Sequence, residues 1–164
     1  MLRDPQNVPL YALDSFHSEK SVPGAFAGAT TNARGDDGGT SDPYTLFSVV
    51  GDVLVGVYGV CTVDLVSAGG GTLGLGTTNN TTAFIAATTA TAIDANELWM
   101  STTPTIDMPI DSLTFYIVGN GEDIVEVVGT ADITAGNIYY NCLWRPLTHG
   151  SSVSSSYPPT TTPT

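Results

Sequence analysis

Apolar residues recur along this chain in short runs, each closed by glycine, asparagine, aspartate or proline, and no run sustains a helical period. Tyr44–Val50 and Asp52–Val60 are dense in Val, Leu, Phe and Tyr around Gly51-Asp52. They predict two strands, or one long strand bent at the glycine. Thr62–Val66 and Thr72–Gly76 predict shorter strands on either side of the Ser67–Gly71 turn. Within Thr72-Leu73-Gly74-Leu75-Gly76 the leucines share one face and the glycines the other, which leaves room for a close neighbour. Leu98–Ser101, Ser112–Val118, Ile124–Thr130 and Asn137–Trp144 supply the remaining strands. Asn120-Gly121, between two of them, is the strongest local hairpin signal. Thr82–Ala87 reads as one or two helical turns, with Thr81 or Thr82 as cap and Phe84 and Ile85 as anchors. Short strands at regular spacing with turn residues between them predict an all-β fold: a single β-sandwich, jelly-roll-like or small-barrel domain.

The flanks differ from this body. Residues 1–43 carry Pro5, Pro9, Pro23 and Pro43 and a run of small residues from Gly24 to Gly39, and their apolar residues follow no period. They read as an extended N-terminal arm that orders against its own body or a neighbour. The core domain is expected over 44–148. A Ser/Thr/Pro-rich tail follows over 149–164, where Pro158-Pro159 favours extended backbone.

Composition sharpens the picture. Charged residues make up 12% of the chain, and threonine, glycine and alanine fill the gap, as suits strands better than helices. The formal net charge is -12, and Arg3, Lys20, Arg34 and Arg145 are the only lysines and arginines. From Gly35 to Trp144 there is no basic residue at all, so the body cannot neutralise phosphates and no nucleic acid partner is expected. Its acidity also repels other copies and anionic membrane. Met1-Leu2-Arg3-Asp4-Pro5 is followed by no apolar stretch, so neither a secretory signal nor a membrane partner is expected. Cys61 and Cys142 each lie in an apolar run and are read as buried free thiols.

Candidate chemistry is sparse. Asp36, Asp37, Asp42, Asp94, Asp107, Asp111, Glu122, Asp123 and Asp132 fall at turns, where aspartate serves the backbone. His17 and His149, the only histidines, lie in the flanks, and no Gly-x-Ser-x-Gly elbow is present. No catalytic residue, cofactor or metal is assigned, although Asp36, Asp37 and Asp42 group oxygen ligands of the kind calcium prefers. Arg34-Gly35-Asp36 matches an integrin-binding tripeptide, and Asn79-Asn80-Thr81-Thr82 holds overlapping glycosylation sequons. Both matches are short enough to arise by chance. The aromatics Tyr139, Tyr140 and Trp144, with Arg145 after them, are read either as core or as a subunit contact.

Gly51-Asp52-Val53-Leu54-Val55 followed by Gly59-Val60-Cys61-Thr62 resembles an opening found in small virion proteins encoded among tailed-phage structural genes. Ile85–Thr91 with Ile93-Asp94-Ala95 is similar to their middle, and Tyr139-Tyr140 with Leu143-Trp144-Arg145-Pro146-Leu147 resembles their end. The likeness spans about residues 45–148 and leaves out the arm and the tail. It implies a β-rich virion component, either a capsid decoration protein or a tail or head–tail accessory, commonly trimeric. The resulting expectation is a non-enzymatic homo-oligomer, a trimer, made in the host cytoplasm and displayed on the capsid exterior against the major capsid protein or other virion proteins. Leu10, Tyr11 and Phe16 are its expected arm anchors, and Tyr139, Tyr140, Trp144 and Arg145 its further contacts. A carbohydrate-binding module, with Trp99 or Tyr140 stacked on sugar rings, is the alternative from another class.

Overall fold

A computed structural model describes residues 16–159. Among these, the regular elements are strands, apart from 3-10 turns at Ala90–Ala92 and Ile110–Ser112. The strands are β1 (His17–Ser21), β2 (Tyr44–Val50), β3 (Val53–Val66), β4 (Thr72–Thr77), β5 (Ile85–Thr89), β6 (Leu98–Trp99), β7 (Phe115–Val118), β8 (Ile124–Gly129), β9 (Ala135–Pro146) and β10 (Ser152–Ser155). They form two antiparallel five-stranded sheets. The first runs β1-β9-β3-β6, with β7 also paired to β3; the second runs β10-β2-β8-β4-β5. Apart from β4–β5 and β6–β7, successive strands lie in different sheets. The fold is therefore all-β with a sandwich architecture.

Alternation along the strands explains the core. Val53, Val55, Val57 and Cys61 of β3 meet Leu46 and Phe47 of β2, Leu73 and Leu75 of β4, Ile124 and Val128 of β8, and Ile138, Tyr140 and Cys142 of β9 in one buried cluster. Trp99 is fully buried, and its indole Nε1 donates to Thr88 Oγ1 at 3.1 Å, tying β6 to the end of β5 across the gap between sheets. Gly59 makes room for it: a Cβ there would lie 2.9 Å from Ile138 and 3.2 Å from the Trp99 ring. At the opposite side the two edge strands are tied through Val22, whose N–H donates to the Tyr157 carbonyl at 2.7 Å, and Tyr44 stacks on Tyr157 at 5.2 Å.

Several local expectations change. Thr82–Ala87 is not helical: Ile85–Thr89 is a strand on β4, because the β-branched Ile85, Thr88 and Thr89 suit a pleated position and Phe84 and Ile85 bury inward. Asn120-Gly121 does turn the chain, with Gly121 at φ +94, but it joins β7 of the first sheet to β8 of the second and is not a hairpin. Gly51, at φ +68, makes the corresponding passage from β2 of the second sheet to β3 of the first, and the two passages are linked: Gly51 N–H donates to Asn120 Oδ1 at 2.9 Å. Thr62–Val66 is the bulged continuation of β3. The glycine face of β4 does receive a close neighbour: a Cβ at Gly76 would overlap the Asn80 carbonyl oxygen.

The flanks are woven into the sheets. β1 pairs along β9 from His17–Trp144 to Ser21–Tyr140, and β10 pairs with β2 from Ser152–Val50 to Ser155–Phe47. Residues 22–43 carry no strand, yet they are held to the body. Phe26 N–H donates to the Gly136 carbonyl at 3.0 Å, Gly28 N–H to that of Ile133 at 3.0 Å, and Ile133 N–H to that of Gly35 at 2.8 Å. Over residues 17–43 the expected arm thus orders on its own body.

The cysteines are free and buried. Burial holds the Cys61 thiol up at about 11 and pushes that of Cys142 higher still. Burial also raises the Tyr44 and Tyr140 phenols, with hydrogen bonding to Tyr157 adding to the first and the Glu126 charge to the second. Folded values above unfolded ones mean that this stabilisation is complete below the unfolded thiol value of about 8.5 and is lost as pH climbs above it. Urea midpoints should therefore be flat to about pH 8 and decline beyond about pH 9. Both thiols should resist alkylation at pH 8 until the chain unfolds. Rapid labelling of the native protein would show that the strands around them open.

Candidate functional site

The sites proposed from turn residues dissolve into backbone support. Asp42 Oδ1 accepts from Val128 N–H at 3.0 Å, and burial raises the pKa of its carboxyl. Asp36 Oδ2 accepts from Asn32 N–H at 2.6 Å, and Asp37 N–H donates to Asp132 Oδ1 at 3.0 Å. Among the described residues no three His, Cys, Asp or Glu side chains are grouped to hold a metal ion, and no pocket is present. No described helix is long and apolar enough to cross a membrane.

Arg34 is not an exposed recognition residue. It is 5% exposed and lies inside the molecule. Its Nε and Nη2 donate to Glu126 Oε1 and Oε2 at 2.5 and 2.8 Å, its Nη1 donates to the Gly24 carbonyl, and its guanidinium lies 3.9 Å from the Phe26 ring centre. The Tyr140 hydroxyl donates to Glu126 Oε2 at 2.5 Å. Burial alone would lower the pKa of Arg34, but the Glu126 carboxylate outweighs it and the group is held above its usual value. Arg34 of the 22–43 segment, Glu126 of β8 and Tyr140 of β9 thus bind three parts of the fold together. The cluster is structural, and the Arg34-Gly35-Asp36 tripeptide cannot present its arginine.

What the surface does offer is the outer side of the first sheet. Inward positions of β9 (Ile138, Tyr140, Cys142, Trp144) are buried, which turns Tyr139, Asn141, Leu143 and Arg145 outward. The register sets Leu143 beside Gly56 and Gly56 beside Phe115, and Arg145 beside Leu54 and Leu54 beside Ile117. Gly56 lets side chains lie flat across the sheet there: a Cβ would meet Phe115 at 3.0 Å and Leu113 at 3.1 Å. Phe16 packs edge-on against Phe115 at 5.5 Å, with the Arg145 guanidinium 5.7 Å from its ring. The Lys20 ammonium stands 3.7 Å over the Tyr139 ring. Ile117 is 70% exposed and Phe115 39%, on a strand paired only with β3 among the described residues. In the loop leading to β7, Ile106 is 73% exposed.

The expected contact residues divide accordingly. Phe16, Tyr139 and Arg145 come together on this face. Tyr140 lies wholly in the core and Trp144 nearly so, with His17 stacked on it at 4.5 Å. They fill the interior because β9 alternates and theirs are its inward positions. Leu10 and Tyr11 fall outside the described residues. Trp99 and Tyr140 cannot stack on a sugar, since both are fully buried. Phe115, Ile117 and Leu54 were not singled out from the sequence. The unbroken apolar run Val53-Leu54-Val55-Gly56-Val57-Tyr58 was the available signal, because a strand with a watered face should alternate.

The chain matches no family model, no curated protein and no solved structure.

Proposed function

We propose that this protein is a non-enzymatic structural component of a tailed-phage virion: a capsid decoration protein that sits on the shell exterior as a homo-oligomer, against the major capsid protein or another virion protein. One observation carries the reading. The outer side of the first sheet gathers Phe16, Leu54, Phe115, Ile117 and Leu143 with the cations Lys20 and Arg145, and no outward position of β1, β7 or β9 is a carboxylate. An apolar outer face of this kind is built for association. The resemblance in strands β3, β5 and β9 to small virion proteins supplies the setting, and burial of apolar area at about 25 cal/mol per Å² over many identical sites supplies the adhesion.

The test is to add labelled protein to particles of the encoding phage that lack it, and to image them. Signal over the whole shell is expected. Signal confined to the tail or its junction would establish the accessory role instead, and none on any particle would end the virion reading. The Leu10 and Tyr11 anchors are tested by removing residues 2–15 alone, since a longer deletion would take β1 and Arg34 with it. Unchanged shell occupancy would show that those anchors are not needed.

A further inference from the structure

We infer that the chain between β6 and β7 is a recognition loop of its own, apart from the sheet face, and that its Ile106 enters an apolar socket bordered by lysine or arginine on the virion protein that the molecule binds. This rests on the reading of the molecule as a shell-bound component, and adds a second, separate contact to it. The topology sets the loop apart. β6 and β7 both run antiparallel to β3 along the same side of it, with Trp99 beside Gly59 and Phe115 beside Gly56. They are two halves of one edge strand. The chain leaves that edge at Met100 and returns at Thr114, with no strand in between.

This excursion is not slack chain. It contains no glycine, and Pro104 and Pro109 stiffen it. Leu98 and Thr105 exchange backbone hydrogen bonds at 2.7 and 3.3 Å, and Met100 and Leu113 are buried at its two ends. Asp107 N–H donates to Thr105 Oγ1 at 3.2 Å, and the same hydroxyl donates to the Asp107 carbonyl at 2.8 Å. Ser112 N–H donates to the Pro109 carbonyl at 2.9 Å. On this frame Ile106 is 73% exposed, more than any other large apolar side chain among the described residues. The free protein forgoes the gain of burying it, and a loop already held in shape spares a contact the cost of ordering. A long connection that is strandless yet ordered is the pattern of a binding loop.

Charge selects the partner. Asp107 and Asp111 are exposed on the same loop, which carries no lysine or arginine. A socket that admits the isoleucine is therefore best bordered by basic residues. Lys20 and Arg145 stand on the β1–β9 side of the first sheet, whereas the loop issues from its opposite edge. The whole contact is thus polarised, positive on one side and negative on the other, and a complementary surface accepts it in one orientation. The sheet face contributes area; the loop sets the register.

Loading of the full chain onto particles of the encoding phage that lack it tests this, with sedimentation of the free chain alongside. Ile106→Asp should weaken shell occupancy at least tenfold with an unchanged circular dichroism spectrum, and Ile106→Val should load nearly as well as the parent. A charge-reversed loop, Asp107→Lys with Asp111→Lys, should also load at least tenfold more weakly, and molar salt should narrow its gap from the parent. That variant keeps the backbone N–H of residue 107 that braces the loop, so a misfolded Ile106→Asp cannot decide the matter alone. Loading by both loop variants equal to the parent's overturns the inference and leaves the decoration reading standing. Loss of loading together with a lighter sedimenting species also overturns it, because the loop then joins copies of the chain to one another. A parent chain that binds no particle removes the decoration reading and this inference with it.

Discussion

Replacing Glu126 with leucine should destabilise the protein by about 3–5 kcal/mol, because it strands the Arg34 guanidinium in the core without its carboxylate. The cost is set by desolvation. Two ions taken out of water each forfeit hydration, and only their mutual attraction and hydrogen bonds offset that loss. Here the geometry is good: a two-pronged guanidinium–carboxylate pair, a third bond from Arg34 to the Gly24 carbonyl and a phenol on the remaining side of Glu126. Removing the arginine instead, as Arg34→Met, should cost about the same for the mirror-image reason. The double replacement should recover most of the loss, because an apolar pair leaves no uncompensated charge and needs no hydration. Urea midpoints for the two singles and the double measure this, with the denaturant slope unchanged. A loss below about 1 kcal/mol for Glu126→Leu would mean that Arg34 reaches water readily and that the 22–43 segment is only loosely held.

The second large effect is expected at Trp99. Trp99→Ala should cost about 3–5 kcal/mol, since the indole is fully buried among Gly59, Ile138 and Tyr140 and the cavity left behind cannot close against two sheets. Trp99→Phe retains much of the volume and loses the donor to Thr88 Oγ1, so it should cost distinctly less. Thermal or urea unfolding followed by circular dichroism reads both. An alanine variant as stable as the parent would place Trp99 outside the core and reopen a surface role for it.

The strands were legible because their signal is local. Runs of β-branched and aromatic residues in Val53-Leu54-Val55 and Ile138–Trp144, punctuated by glycine and asparagine, place β3 and β9 where they occur. What a local signal cannot carry is the partner. Asn120-Gly121 specifies a turn, but whether the next strand joins the same sheet depends on β2 and β4, which flank β8 and are distant in sequence. Thr82–Ala87 contains helix-favouring alanines, and pairing with β4 outweighs that weak preference. Arg34 sits among glycine, asparagine and aspartate, a setting that reads as exposed loop. Its partner left a trace: Ile124, Glu126 and Val128 share one face of a strand, so Glu126 stands at a core position and requires a buried partner. The apolar outer face of the first sheet was half legible. Tyr139 and Arg145 drew attention by type, whereas the place of Phe115 and Ile117 beside Gly56 and Leu54 follows from the pairing of β7 with β3, which only the assembled sheet shows.

The pairing of the flanking strands β1 and β10 into the sheets has a consequence for biosynthesis. β1 is made long before its partner β9, and β2 cannot complete its sheet edge until β10 has been made. Each sheet is completed by a pairing between strands far apart in sequence, so folding is comparatively slow. An unfinished chain lacks β9, the strand that contributes Tyr139, Leu143 and Arg145 to the outer face. Products truncated before β9 would lack part of the face through which we propose the protein associates, and synthesis of that strand would act as a checkpoint on which copies are incorporated.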